Sequence, residues 1–250
     1  ATVTAQFISG IACLVYMYKK YDILKGDKSE RIIDSRFIKN LCINGVPMGL
    51  QYSITAIGST ILQASVNTLG STYVAAMTAG SKMFNFTCCP FDALGSTMAT
   101  YAGQNVGAAK IKRLGQGVHS AMIIGTIYSV ISLAVLYFTT DYIALLFVDA
   151  SETTIIALTR QFILASAIFY IPLTGVNVVR FCIQGMGFSV FAISAGILEM
   201  IGRAFAAVIL IPHIGFMGAC LASPIAWVAA DAFLFPAFIK CSGKLSKRYY

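Results

Sequence analysis

Apolar residues fall into six long runs along the chain, at residues 43–64, 73–102, 117–138, 153–178, 189–211 and 217–239, with polar clusters between them. A helix needs about 20 apolar residues to cross a bilayer core, so each run predicts one membrane-spanning helix. The pattern therefore predicts an all-α membrane protein, a polytopic helical bundle of six complete transmembrane helices. Residues 1–18 form a seventh apolar stretch and read as the end of a preceding helix. Residues 21–39 break the pattern by mixing Lys, Arg, Asp and Glu around Gly26, as an amphipathic linker would. The resulting division is a helix end over 1–18, a linker over 19–40, a six-helix unit over 41–240 and a polar tail over 241–250.

Composition supports the membrane reading. Hydrophobic residues make up 58% of the 250 and charged residues 11%, against about 25% charged in a soluble domain. The placement of the charges orients the bundle. Lys19, Lys20, Lys25, Lys28, Arg31, Arg36 and Lys39 precede the first full run, and Lys110, Lys112 and Arg113 follow the second. Arg180 follows the fourth, and Lys240, Lys244, Lys247 and Arg248 follow the last. These are 15 of the 18 basic residues, on alternate connections, while the opposite connections carry Asp141, Asp149 and Glu152. Short loops rich in Lys and Arg mark the cytoplasmic side, so both ends of the chain are expected there, as in a multi-pass protein of a bacterial cell membrane. The net charge of +8 is then a matter of topology and of anionic lipid; no nucleic-acid partner is needed.

Recognisable catalytic constellations are missing. His119 and His213 stand far apart, with no HExxH, CxxC or GxSxG arrangement around either. Residues 103–110 (GQNVGAAK) have the look of a phosphate loop but lack its Gly-Lys-Ser/Thr ending and a preceding strand. Seven cysteines, an odd number set mostly in apolar runs, do not form the paired framework of a small secreted domain. Cys88 and Cys89 are adjacent, but neighbouring side chains on a helix point different ways, so packing outweighs soft-metal binding. The expectation is a protein that is not an enzyme and has neither cofactor nor metal. The chain opens without Met or a visible signal peptide, which fits a piece of a larger transport protein.

Ionisable groups within the apolar runs are the best site candidates, because each costs about 2.5–3.5 kcal/mol to insert and usually faces a cavity or a partner. Glu199 and Arg203 stand at i,i+4 and so share a helix face; they form either a self-neutralising pair or an ion-responsive switch. Lys82 and Asp92 share one run, roughly 15 Å apart along a helix, with Pro90 between them as an expected kink. Glu199 and Asp231 are possible partners for Lys82. Asp92 is expected in an inner vestibule or bonded to a neighbouring helix. Asp231 follows Trp227 by one turn, which sets an acid beside an aromatic face, a combination suited to organic cations. Arg160 is expected to snorkel at the outer end of its helix. Gln51, Asn67, Asn85, Asn177 and Gln184 are polar candidates for lining a cavity or for holding helices together. Residues 47–51 (PMGLQ) and 172–177 (PLTGVN) each set a Pro before a Gly and an amide, a weak internal echo that marks bent helices.

Residues 93–110 (ALGSTMATYAGQNVGAAK) resemble the signature after the eighth helix of the multidrug and toxic compound extrusion (MATE) family. Residues 45–51 (GVPMGLQ) resemble that family's seventh helix, residues 196–203 (GILEMIGR) its eleventh. Residues 181–187 (FCIQGMG) are similar to the close of its tenth, where the family often has Arg in place of Gln184. Lys82 matches a position where the family often carries Lys or Arg. The resemblance implies a twelve-helix antiporter of two lobes that exports organic cations against an inward H⁺ or Na⁺ gradient. The chain would then be the end of helix six, the cytoplasmic interlobe linker and the C-terminal lobe. Its partners would be the bilayer, the N-terminal lobe, in which many bacterial members carry their main ion-binding carboxylate, and small organic cations. The rival readings are a flippase for lipid-linked oligosaccharides, which would need a basic-lined cavity for a diphosphate, and a non-transporting membrane scaffold.

Overall fold

The computed structural model describes residues 2–21 and 34–249, and among them all regular structure is helical. Most of the linker read over 19–40 lies outside these described residues. The chain divides into two compact units, Ala1–Cys42 and Ile43–Tyr250. The first holds α1 (Thr2–Lys20) and the opening turns of α2 (Ser35–Asn67). Lys19 and Lys20 close α1, where cations complement the helix dipole. Asp34 starts α2 by accepting a 2.8 Å hydrogen bond from the Arg36 backbone N–H, satisfying a donor that a helix start leaves orphaned.

In the second unit α2 is followed by α3 (Ser71–Gly107), α4 (Lys112–Ala144), α5 (Thr153–Ile168) and α6 (Tyr170–Gly185). Then come α7 (Ser189–Phe205), a π-helical turn over Ala206–Leu210, α8 (Ile211–Ile214) and α9 (Phe216–Tyr249). The first three expected spans and the last lie inside α2, α3, α4 and α9. The fourth is split: α5 and α6 meet at a 54° bend. Pro172, the third residue of α6, lacks the N–H that would have joined the two helices. The fifth becomes α7, the π turn and α8, an interruption of a kind often found at functional sites. Gly187, between α6 and α7, takes φ +85°, a conformation that glycine adopts readily and bulky residues avoid.

Six spans were expected from the pattern. Among the described residues three stretches are long and apolar enough to cross a membrane, residues 112–144, 189–214 and 216–248, and a fourth if the bent α5–α6 pair counts as one. The sequences of α2 and α3 are diluted by Ser, Thr, Gly and amides, and α3 also carries Lys82 and Asp92. A helical membrane bundle results, in which α3 and α6 form the central pair. Around them pack α4, α5 and α9, with α7 along α9. Small residues allow the close approaches. A Cβ on Gly185 would sit 2.2 Å from the Ala99 carbonyl oxygen, and one on Gly202 would sit 2.8 Å from the Ala226 Cα. Tyr170, Phe91, Ile163, Ile183 and Leu234 fill the core between them. On α4 the large residues Ile124, Ile127, Val130 and Ile131 are exposed while Gly125, Ser129 and Ser132 are buried. Apolar residues outward and small ones inward is the arrangement of a lipid-facing helix.

Candidate functional site

Glu199 lies near the middle of α7 and is 3% exposed. One helical turn on, Arg203 places Nη2 3.4 Å from Glu199 Oε2, so the expected i,i+4 pair exists. The other carboxylate oxygen, Oε1, accepts a hydrogen bond from Nη2 of Arg180 on α6. Both oxygens of one buried carboxylate are thus held by separate guanidiniums, each 8% exposed. Arg203 also reaches back to α2, where its Nη1 lies 3.4 Å from the Thr55 carbonyl oxygen.

Arg180 is the main correction to the sequence reading, which counted it among the cytoplasmic loop cations. Its helix continues to Gly185, so the basic residue does not end the span. A carboxylate on the next helix neutralises it inside the protein. Among the described residues the buried cations are Arg180 and Arg203.

The clamp opens onto a cavity of about 370 Å³ between α3, α6, α7 and α9. Asp92, Asn85 and Cys88 line it from α3, on one face by their i, i+3, i+7 spacing. Asn177 and Arg180 line it from α6, Ser223 and Trp227 from α9. The indole of Trp227 stacks on Phe84 at 5.8 Å between centroids, 10° from parallel, giving the cavity an aromatic wall. Asp92 forms no salt bridge among the described residues and is exposed on the cavity side of α3. A neighbouring space of about 240 Å³ shares Phe84, Asn85, Arg203 and Ser223 and extends to Ser59, Gln63 and Ser81.

The remaining candidates lie elsewhere. Lys82 is exposed and sits 5.4 Å from the centre of the Phe147 ring, so neither Glu199 nor Asp231 is its partner. Asp231 does not share the cavity with Trp227. Its carboxylate turns against α6, where the missing side chain of Gly175 leaves room: a Cβ there would lie 2.6 Å from Asp231 Oδ2. The acids that line the cavity with Trp227 are Asp92 and Glu199, and of the two only Glu199 is held by guanidiniums among the described residues. Gln184 donates a 2.7 Å hydrogen bond to Gln51 Oε1, both buried, a polar contact between α6 and α2 away from the cavity lining. Asn67 accepts from Gln63 at 2.9 Å at the end of α2 and lines neither space. Arg160 does not simply snorkel: it pairs with Asp141 and donates to the Tyr137 carbonyl oxygen at 3.1 Å. Cys88 is buried and Cys89 exposed, as expected of neighbours on one helix.

A membrane bundle with an open, charged and aromatic-walled cavity has the anatomy of a small-molecule site. The MatE family model matches residues 47–210, and the chain belongs to that family. It is 25% identical over 160 residues to the probable multidrug resistance protein YoeA of Bacillus subtilis (strain 168), covering 63% of this chain and 35% of that protein. Its fold is similar to that of MATE in complex with MaL6, with a TM-score of 0.85 at 16% identity over 95% of this chain and 55% of that one. It is also similar to the Vibrio cholerae MATE transporter VcmN in the bent form, with a TM-score of 0.79 at 17% identity over 89% and 50% of the two chains. The chain spans about a third of the length of its curated relative and about half that of the solved structures.

Proposed function

We propose that this chain is the C-terminal lobe of a secondary multidrug exporter, which exchanges organic cations for H⁺ or Na⁺ by alternating access. In this reading residues 1–18 end the N-terminal lobe, residues 19–40 are the cytoplasmic interlobe linker and the protein resides in the cell membrane with both ends of the chain cytoplasmic. The observation that carries the proposal is the pairing of Asp92 with the Phe84–Trp227 wall in one cavity. A carboxylate that forms no salt bridge among the described residues, in a cavity that also holds stacked rings, offers an organic cation both an ion pair and a π face. Substrate and coupling ion would favour different conformations of the bundle, and exchange would follow from their competition. A flippase for a lipid diphosphate is less well supported, because Glu199 already pairs with Nη2 of both Arg180 and Arg203.

The test is efflux of a fluorescent organic cation from pump-deficient cells expressing the full-length protein, with H⁺ and Na⁺ gradients collapsed separately. Export that fails with one gradient supports antiport and names the ion. Asp92→Asn should lower export roughly tenfold, equivalent to about 1.4 kcal/mol of binding, at unchanged membrane abundance. No export from correctly inserted protein would refute the reading.

A further inference from the structure

The lipid-facing side of the bundle carries a groove between α3 and α4 that shares no lining residue with the clamp cavity. Its polar end is a hollow of about 460 Å³, lined by Arg113, Gln116 and Ser120 from α4 and by Thr97 and Tyr101 from α3. A second hollow of about 290 Å³ continues it along the two helices to Pro90 and Tyr128. Leu94, Thr97 and Ile124 line both, so the two hollows form one groove. Ile124 belongs to the outward row of α4 and is 59% exposed, which opens the groove to the bilayer. Its walls are braced at both ends. The Tyr101 hydroxyl donates to the Arg113 carbonyl oxygen at 3.0 Å, and its ring lies where a Cβ on Gly117 would come within 2.2 Å. At the deep end Phe91 and Tyr128 meet edge to face at 5.0 Å.

The groove changes chemistry along its length. A guanidinium, an amide and hydroxyls line one end, and Pro90, Leu94, Ile124 and the two aromatic rings line the rest. Arg113 forms no salt bridge among the described residues and is exposed. From residue 93 to residue 140 the chain has Lys110, Lys112 and Arg113 and no Asp or Glu, so a cation in the groove would find no counter-charge along these helices. A phosphate would, and Arg suits it best, because its planar fork can give two parallel hydrogen bonds. The length points the same way. Arg113 and Tyr128 stand 15 residues apart on α4, about 22 Å at the rise of a helix. Half a bilayer with its headgroup region measures about 20–22 Å. We infer that the α3–α4 groove binds one anionic glycerophospholipid, with its phosphate at Arg113, its glycerol region at Gln116 and Ser120 and an acyl chain running to Pro90 and Tyr128. The lipid belongs to the cytoplasmic leaflet, an assignment that rests on the orientation proposed above; the site itself does not depend on export.

Native mass spectrometry of the full-length protein in detergent tests the site, with phosphatidylglycerol and phosphatidylcholine of identical chains as probes. The expected result is a saturable one-to-one adduct with phosphatidylglycerol, held at least about fivefold more tightly than phosphatidylcholine. Arg113→Gln should weaken it about fivefold. Lys240→Gln, which removes a basic residue on α9 outside the groove, should leave it within twofold. Thr97→Trp fills the junction of the two hollows and keeps Arg113, and it should weaken the adduct at least as much. Glycerol 3-phosphate, a headgroup without chains, should not displace the lipid at equal concentration. Equal retention of the two lipids, or equal losses in Arg113→Gln and Lys240→Gln, would overturn the inference in favour of general attraction to anionic surfaces. An adduct untouched by Thr97→Trp, or displaced by glycerol 3-phosphate, would also overturn it, as would a protein dimer in place of the lipid adduct. Each of these failures would leave the export reading standing, because export is read in cells with its own gradient controls.

Discussion

Glu199→Gln is the most informative single substitution, because among the described residues this carboxylate is the one group paired with both Arg180 and Arg203. The side chain of Glu199 is 4% exposed and those of both arginines 10%, so all three charges lie in a region of weak screening. Removing one partner of a buried pair typically costs 3–5 kcal/mol, since it leaves a buried charge uncompensated. Here it would leave two like charges facing each other, so the upper part of that range is expected. For a domain of this size 1 kcal/mol corresponds to roughly 2–4 °C in Tm, so a cost of about 4–5 kcal/mol predicts a fall of about 8–20 °C on thermal unfolding in detergent. Arg180→Gln should cost less, about 1–3 kcal/mol, because Glu199 retains Arg203. The sharper statement concerns the double variant. Once Glu199 is neutral, removing Arg180 relieves repulsion instead of breaking a bond. Arg180→Gln should therefore raise Tm in the Glu199→Gln background while lowering it in the wild type. A double-mutant cycle reads that change of sign directly. Additive losses, or a Glu199→Gln protein within about 1 kcal/mol of wild type, would refute the clamp.

Gly185→Ala should destabilise by about 1–3 kcal/mol by forcing α6 from the Ala99 carbonyl. Gly115→Ala on α4, where an added Cβ meets nothing within 4 Å, should be neutral or stabilise by up to about 1 kcal/mol; thermal unfolding of the two in parallel checks both. Lys82→Gln removes a cation from over the Phe147 ring and should change stability by no more than about 1 kcal/mol, with export within twofold of wild type. A larger loss of export would restore Lys82 to the pathway. Trp227→Leu should weaken binding of a flat aromatic cation by roughly 2- to 12-fold, the equivalent of 0.5–1.5 kcal/mol of lost ring contact, as measured by equilibrium dialysis.

What could be read along the chain, and what could not, divides at the point where a residue's partner lies on another helix. Helix identity and the Glu199–Arg203 face follow from local spacing, and both are present. Arg180 was misplaced because a charge at the end of an apolar run looks like a boundary until its counter-charge is known, and that counter-charge is 19 residues away on α7. A local signal did exist: Asn177, Arg180 and Gln184 stand at i, i+3 and i+7, a polar stripe that only a continuing helix would align. The same stripe rule places Asp92 with Asn85 and Cys88 on the cavity face of α3. Lys82, one turn earlier on the same helix, lies over Phe147 outside both spaces. Asp231 shows the opposite failure. Its one-turn spacing from Trp227 is real, but a gap left by a glycine on α6 draws the carboxylate away from the aromatic wall. Spacing shows which residues can share a face, whereas the size of the residue opposite decides where the side chain goes. That is why the clamp and the Asp92 end of the cavity emerge only when four helices are seen together.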